Sequence, residues 1–197
     1  MSWIYHVSNR PSSMTQAEME NNALEFYGQL NALGWTLEAI SATLGNIQCE
    51  SYINPAQTQL YYPIGGNHGG YGLCMWTPQT KYRNWAQANN HDITEGYWQV
   101  VCLDNNEFTQ YTTHTGYPET FAEYKVSDED LDYLTRCFFV NFEKGNPADA
   151  HMEERIQFSN NWYSFLSGED PPTPPTPPTP GYKSSGLKVW QMIRYHL

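Results

Sequence analysis

The sequence predicts a mainly α-helical domain interrupted by one Gly/Tyr-rich loop or short hairpin, followed by a polyproline linker and a short tail. Three observations predict it. Apolar residues recur at helical spacing through the first 166 positions, residues 52–76 interrupt them with Gly, Pro, Asn and Tyr, and at residue 171 the chain turns abruptly into PPTPPTPPTP. Residues three and four apart share one face of a helix, so the first pattern gives each segment a stripe to bury.

The first helix is expected over 15–33. It opens on TQAE, a capping-box pattern at Thr15 and Glu18, and Gly34 stops it. Thr36 restarts a helix through Glu50, with Leu37, Ile40, Leu44 and Ile47 on one stripe. A third is expected from Thr77 to about Asn89 and a fourth from Thr94 to about Phe108. Ser127, followed by three acids, reads as the cap of a helix reaching about Glu143, since carboxylates favour the positive end of the helix dipole. Asp149 to about Leu166 closes the set. A long irregular segment inside a helical domain, such as 52–76, is usually functional.

The Pro-Pro-Thr repeat makes neither helix nor ladder and is expected to form a stiff polyproline spacer of about 31 Å. The remaining 17 residues place Leu187, Val189, Trp190, Ile193 and Leu197 among basic ones. They are too few to fold alone. The expected organisation is therefore a domain over 1–168, a linker over 169–181, and a docking or anchor segment over 182–197, with a frayed tail as the alternative.

Ten Lys and Arg against 21 Asp and Glu leave a net charge of −11, which gives nucleic-acid binding no electrostatic support. No apolar stretch approaches the length of a membrane span, and the N-terminus lacks the basic and apolar segments of a secretory signal. Cys49, Cys74, Cys102 and Cys137 lack paired metal-ligand spacing. Cys102 in VVCL and Cys137 in RCFF read as buried free thiols; a Cys49–Cys74 bridge is permitted but not expected. The six histidines form no HExxH, no phosphate loop precedes a Lys-Ser/Thr, and GxSxG is absent. No metal or cofactor is expected.

Glu50 is the residue that stands out. It ends the apolar helix LGNIQCES beside Ser51, which is able to hydrogen-bond it. A carboxyl on a largely apolar face is partly desolvated, which favours its protonated form and suits a general acid. The alternative is a solvated Glu at a helix end.

ESYINPAQTQ followed by GYGLCMW resembles the signature of the soluble lytic transglycosylase and goose-type lysozyme superfamily. The ordered set of LGN, Glu-Ser, Asn-Pro and GYGL-x-x-W looks closest to the lysozyme-like domain of phage tail proteins. NFEKGNPADAHMEERIQFSNNWY is similar to that family's closing segment, so the resemblance covers roughly residues 20–166. It implies a lysozyme-like helical fold, Glu50 as the catalytic acid, and a sugar-cleft wall at Tyr71, Gly72, Leu73 and Trp76. Gln48, Ser51 and Asn141 join Tyr71, Gly72 and Trp76 as expected substrate-binding positions. Met75 stands where the superfamily usually has Gln, which leaves one polar contact in question.

Glycoside hydrolysis ordinarily employs two carboxylates. Residues 51–91 contain no Asp or Glu, so a second must come from Asp92, Asp104, Glu143, Asp149 or another distant position. Glu143 is the candidate catalytic partner because NFE belongs to the closing segment; its alternative role is to pair with Arg155 and pin two helices. Without such a partner, Glu50 acts as acid and then base while the muramic 6-hydroxyl attacks. The implied function is a virion-associated muramidase cleaving β-1,4 MurNAc–GlcNAc bonds in peptidoglycan glycan strands, docked to phage tail proteins through 182–197 and opening the host wall for genome delivery. The alternatives are an inactive wall-binding or structural tail module, or a free endolysin or lytic transglycosylase.

Overall fold

The computed structural model describes residues 2–146, 148 and 151–168; the linker, the tail and Asp149 lie outside them. Among the described residues the chain forms α1 (Gln16–Ala32), α2 (Leu37–Ser51), α3 (Thr80–Ala88), α4 (Gly96–Asp104), α5 (Phe121–Lys125), α6 (Leu131–Asn141) and α7 (Met152–Ser167). The architecture is mainly α, as expected. The Gly/Tyr-rich loop contributes isolated bridges, Thr58 with Tyr71 and Tyr71 with Trp76.

The start of α1 follows the capping box: Glu18 N–H donates to Thr15 Oγ1 at 3.3 Å and Thr15 N–H to Glu18 Oε2 at 2.8 Å. Gly34, at φ +88°, ends the turn. Thr36 caps α2, accepting from Ala39 N–H at 3.2 Å. Helix α2 is the centre of the domain, packing most extensively on α7 and then on α6. Its residues 39–47 are all buried, so it behaves as a core helix rather than an amphipathic surface one. Ile40, Leu44 and Ile47 are fully enclosed with Phe26, Leu30, Phe138 and Tyr124, and each such aliphatic side chain contributes about 1.5–3 kcal/mol.

Several expectations about the helices are corrected. Asp130 rather than Ser127 caps α6, accepting from Tyr133 N–H at 2.8 Å. Residues 121–125 form α5, which the periodicity did not predict because a single turn and a half is too short to show a period. Its own capping box, Thr120 with Glu123, starts it. The third and fourth helices are shorter than expected: Pro78 delays α3, since the residue before a proline is biased away from helix, and Asn106 and Thr109 at positive φ end α4 early. Cys49, Cys74, Cys102 and Cys137 are all free thiols, the last three buried.

Two polar clamps hold the ends of this layout. Asp104 on α4 accepts from Trp35 Nε1 at 2.8 Å and from Lys125 Nζ at 2.7 Å, and that ammonium lies 4.9 Å from the Phe121 ring centre. The N-terminal arm is held by two side-chain amides. Asn22 receives Ile4 N–H at 2.8 Å and donates to Ile4 O at 2.7 Å; Asn54 does the same for His6 at 3.2 and 2.7 Å. Each amide stands in for a neighbouring strand.

Candidate active site

Helix α2 delivers Glu50 one residue before it ends. Tyr52 and Ile53 follow in the left-handed region, at φ 56° and 54°, so the chain turns sharply away and the irregular loop begins directly beside the carboxyl. Left-handed backbone at a β-branched residue costs on the order of 1–3 kcal/mol and persists only where surroundings enforce it. Here Asn22 Nδ2 donates to Ile53 O at 2.9 Å.

The loop is fastened at Leu73 from both sides. Ser51 Oγ donates to Leu73 O at 2.9 Å, and Leu73 N–H donates to Gln99 Oε1 at 2.7 Å. Gln99 in turn donates to Pro55 O at 2.6 Å, joining the two ends of the loop through α4. Gly72 is required at this junction: it sits at φ +80°, and a Cβ there would lie 2.4 Å from Gln99 Oε1. The Ser51 hydroxyl, expected beside Glu50, therefore holds loop backbone instead, because its buried position at the helix end faces two carbonyls. Sequence reasoning missed Gln99 altogether; a glutamine within the apolar run of α4 is the signal that marks it.

Glu50 does not face an apolar wall alone. Arg155 Nη2 donates to Glu50 Oε1 at 2.8 Å, and the two side chains are only 2% and 5% exposed. Arg155 is thus paired with Glu50, since α7 lies along α2, and Glu143, its expected partner, adds its negative field at the same guanidinium. The guanidinium is placed by Asn46, whose backbone and side-chain oxygens accept from Nη1 at 3.3 and 3.2 Å, and it lies 4.4 Å from the Phe139 ring centre. Gly45 permits this closeness: a Cβ there would meet Arg155 O at 2.6 Å and Ser159 Oγ at 2.1 Å.

Glu143, 8% exposed just after α6, completes the charged group. Burial pulls the Arg155 guanidinium down, but Glu50, Cys49 and Glu143 together outweigh it and hold it above its ordinary value. Burial likewise pushes the Cys74 thiol well up, and the negative fields of Glu143 and Glu50 add to it. Two carboxylates far apart in sequence therefore bear on the same cation and the same loop thiol. Of the other expected sources of a second acid, Asp104 is engaged by Lys125 and Trp35, and Asp92 accepts from Thr94 in a local turn.

The remaining expected substrate-binding side chains are spread differently. Gln48 Oε1, two residues before Glu50, accepts from Trp162 Nε1 at 2.8 Å. Tyr71 is 4% exposed with its hydroxyl on Ile93 O at 3.2 Å, and Trp76, 2% exposed, stacks on Tyr82 at 5.2 Å. Both rings act as loop core. Asn141 is fully buried and donates to Tyr111 Oη at 3.0 Å and Tyr117 O at 2.9 Å. Exposed aromatic surface on the loop comes instead from Tyr61 and Tyr62. Met75, half-buried, adopts φ 45° within the GYGLCMW turn.

A family model described as phage tail lysozyme matches residues 21–166. Morphogenesis protein 1 of Bacillus phage B103 is 34% identical over 163 residues, which make up 79% of this chain and 42% of that protein. The chain thus spans under half of that relative's length.

Proposed function

The chain belongs to the phage tail lysozyme family, and from that premise we propose that it is a virion-associated muramidase cleaving β-1,4 MurNAc–GlcNAc bonds in peptidoglycan. Its place is the virion tail, where opening the host wall locally admits the genome. Glu50 serves as general acid, protonating the bridging oxygen as the bond to the anomeric carbon breaks. Glu143 serves as the second carboxylate, directing water onto that carbon. The observation that carries this reading is the buried Glu50–Arg155 pair; Glu143, buried just after α6, adds its field to the same guanidinium. Residues 1–168 form the catalytic domain, 169–181 the spacer, and 182–197 the segment that docks to tail proteins.

Digestion of purified peptidoglycan by the full chain, followed by mass spectrometry of the released muropeptides, tests the reaction. Reducing muramic ends support hydrolysis through both carboxylates. Anhydro ends assign Glu50 alone, with the 6-hydroxyl as attacking group. Retention on the wall without cleavage, in the wild type and in Glu50→Gln alike, replaces the enzyme reading with a wall-binding tail module, to which the Met75 departure from the superfamily pattern also points.

A further inference from the structure

The placement of Arg155 is over-determined. Its backbone is locked against Gly45, its Nη1 is engaged twice by Asn46, and its guanidinium carbon lies over the Phe139 ring. Asn46 is itself fixed, donating to Ala42 O at 2.9 Å and Thr135 O at 3.1 Å. Three helices thus aim one Nη2 at one carboxyl oxygen. A pair serving only to join α2 to α7 has no need of such aim, because Gly45, Ser159 and the apolar contacts already join them.

We propose that Arg155 is the positioning residue for Glu50, an inference that rests on the general-acid reading above. An arginine N–H donates to the carbonyl oxygen of a neutral carboxyl as well as to a carboxylate, so one geometry serves before and after proton transfer. In the step itself the proton passes from Glu50 to the bridging oxygen, and the electron pair of the breaking C–O bond stays on that oxygen. The anomeric carbon is taken by water or by the 6-hydroxyl, whose proton goes to a carboxylate. The negative charge left on Glu50 appears 2.8 Å from a guanidinium that is already in place. The contact therefore strengthens along the reaction, which lowers the barrier rather than merely tightening substrate binding.

The test uses the full chain as wild type, Glu50→Gln, Arg155→Lys and Arg155→Ala, with kcat and KM measured on soluble glycan strands and folding followed by circular dichroism. Arg155→Lys is expected to keep a cooperative thermal transition and a KM within about twofold, while kcat falls about a hundredfold, as small misplacements of catalytic groups do. Added methylguanidinium is expected to restore part of the Arg155→Ala rate, and the neutral methylurea none. Where Arg155→Ala does not fold, the kcat and KM split of Arg155→Lys decides. Wild-type kcat in Arg155→Lys, or losses that follow only the unfolded fraction, overturns the proposal while leaving Glu50 as the acid. Full activity in Glu50→Gln, or none in the wild type, overturns the general-acid reading itself and the proposal with it.

Discussion

Arg155 reaches across 105 positions of sequence to place Nη2 2.8 Å from Glu50 Oε1. The contact links the last turn of α2 to the first turn of α7, so the fold's largest helix interface and its candidate chemistry share one bond. Predictions follow from what surrounds it.

Two carboxylates in different places, Glu143 and Asp104, separate catalysis from stability. Glu143→Gln is expected to lower kcat by at least about a hundredfold, the usual contribution of a positioned acid or base. Asp104→Asn, at the clamp of Trp35 and Lys125, is expected to cost about 1–3 kcal/mol in urea unfolding and leave kcat unchanged. Equal kcat in Glu143→Gln and wild type removes Glu143 from the reaction.

Gly45→Ala puts a methyl group into backbone of α7, 2.6 Å from Arg155 O and 2.7 Å from Ser159 N. Backbone cannot rotate away, so the helices must separate. The expected loss is about 1–3 kcal/mol or more, read as a lower midpoint of denaturant unfolding, and activity falls with it because Arg155 moves off Glu50.

Gln99→Leu preserves bulk but strips partners from Leu73 N–H and Pro55 O, both inside the domain. Each buried group left unsatisfied costs about 1–3 kcal/mol. Hydrogen exchange should show faster exchange at Leu73 and across the neighbouring loop, with α1 little altered; a uniform change over the chain contradicts a local role.

Stability is expected to fall at both ends of the pH range. Glu18 is held down to about 2 by the Thr15 backbone N–H, with His6 and the Thr15 hydroxyl adding to it. A depressed carboxyl stabilises above its ordinary 4.5, and that contribution is lost as pH drops from there towards 2. Burial pushes the Cys102 and Cys137 thiols up to about 12. The folded chain then keeps protons that the unfolded chain loses above 9.0, so stability declines as pH rises from 9.0 towards 12. Urea midpoints across pH check both slopes, with Glu18→Gln flattening the acid side and Cys102→Ala with Cys137→Ala the alkaline side.

Local signals were the legible part of this molecule. Thr15, Gly34 and Thr36 mark helix ends through contacts within one turn, and Glu50 stands out by its apolar neighbours. What sequence pattern does not carry is the partner of a long polar side chain. Asp130 displaces Ser127 as a cap because several adjacent residues there are able to accept the same kind of bond. Arg155 meets Glu50 because the crossing of α7 on α2 brings them together, and periodicity within either helix says nothing about that crossing. Tyr71 and Trp76 are of a type that serves sugar and core equally, and here they pack around Tyr82.

The amide clamps on the N-terminal arm have a practical use. Ile4 and His6 are tethered on both sides of Tyr5, whose ring remains 48% exposed. A spectroscopic label substituted there would ride on a backbone that scarcely drifts, mounted beside Asn22, Asn54 and the segment they hold. A paramagnetic group fixed there would broaden nearby amide resonances of the glycine-rich loop, so their change as glycan arrives would be read with no label placed on the loop itself.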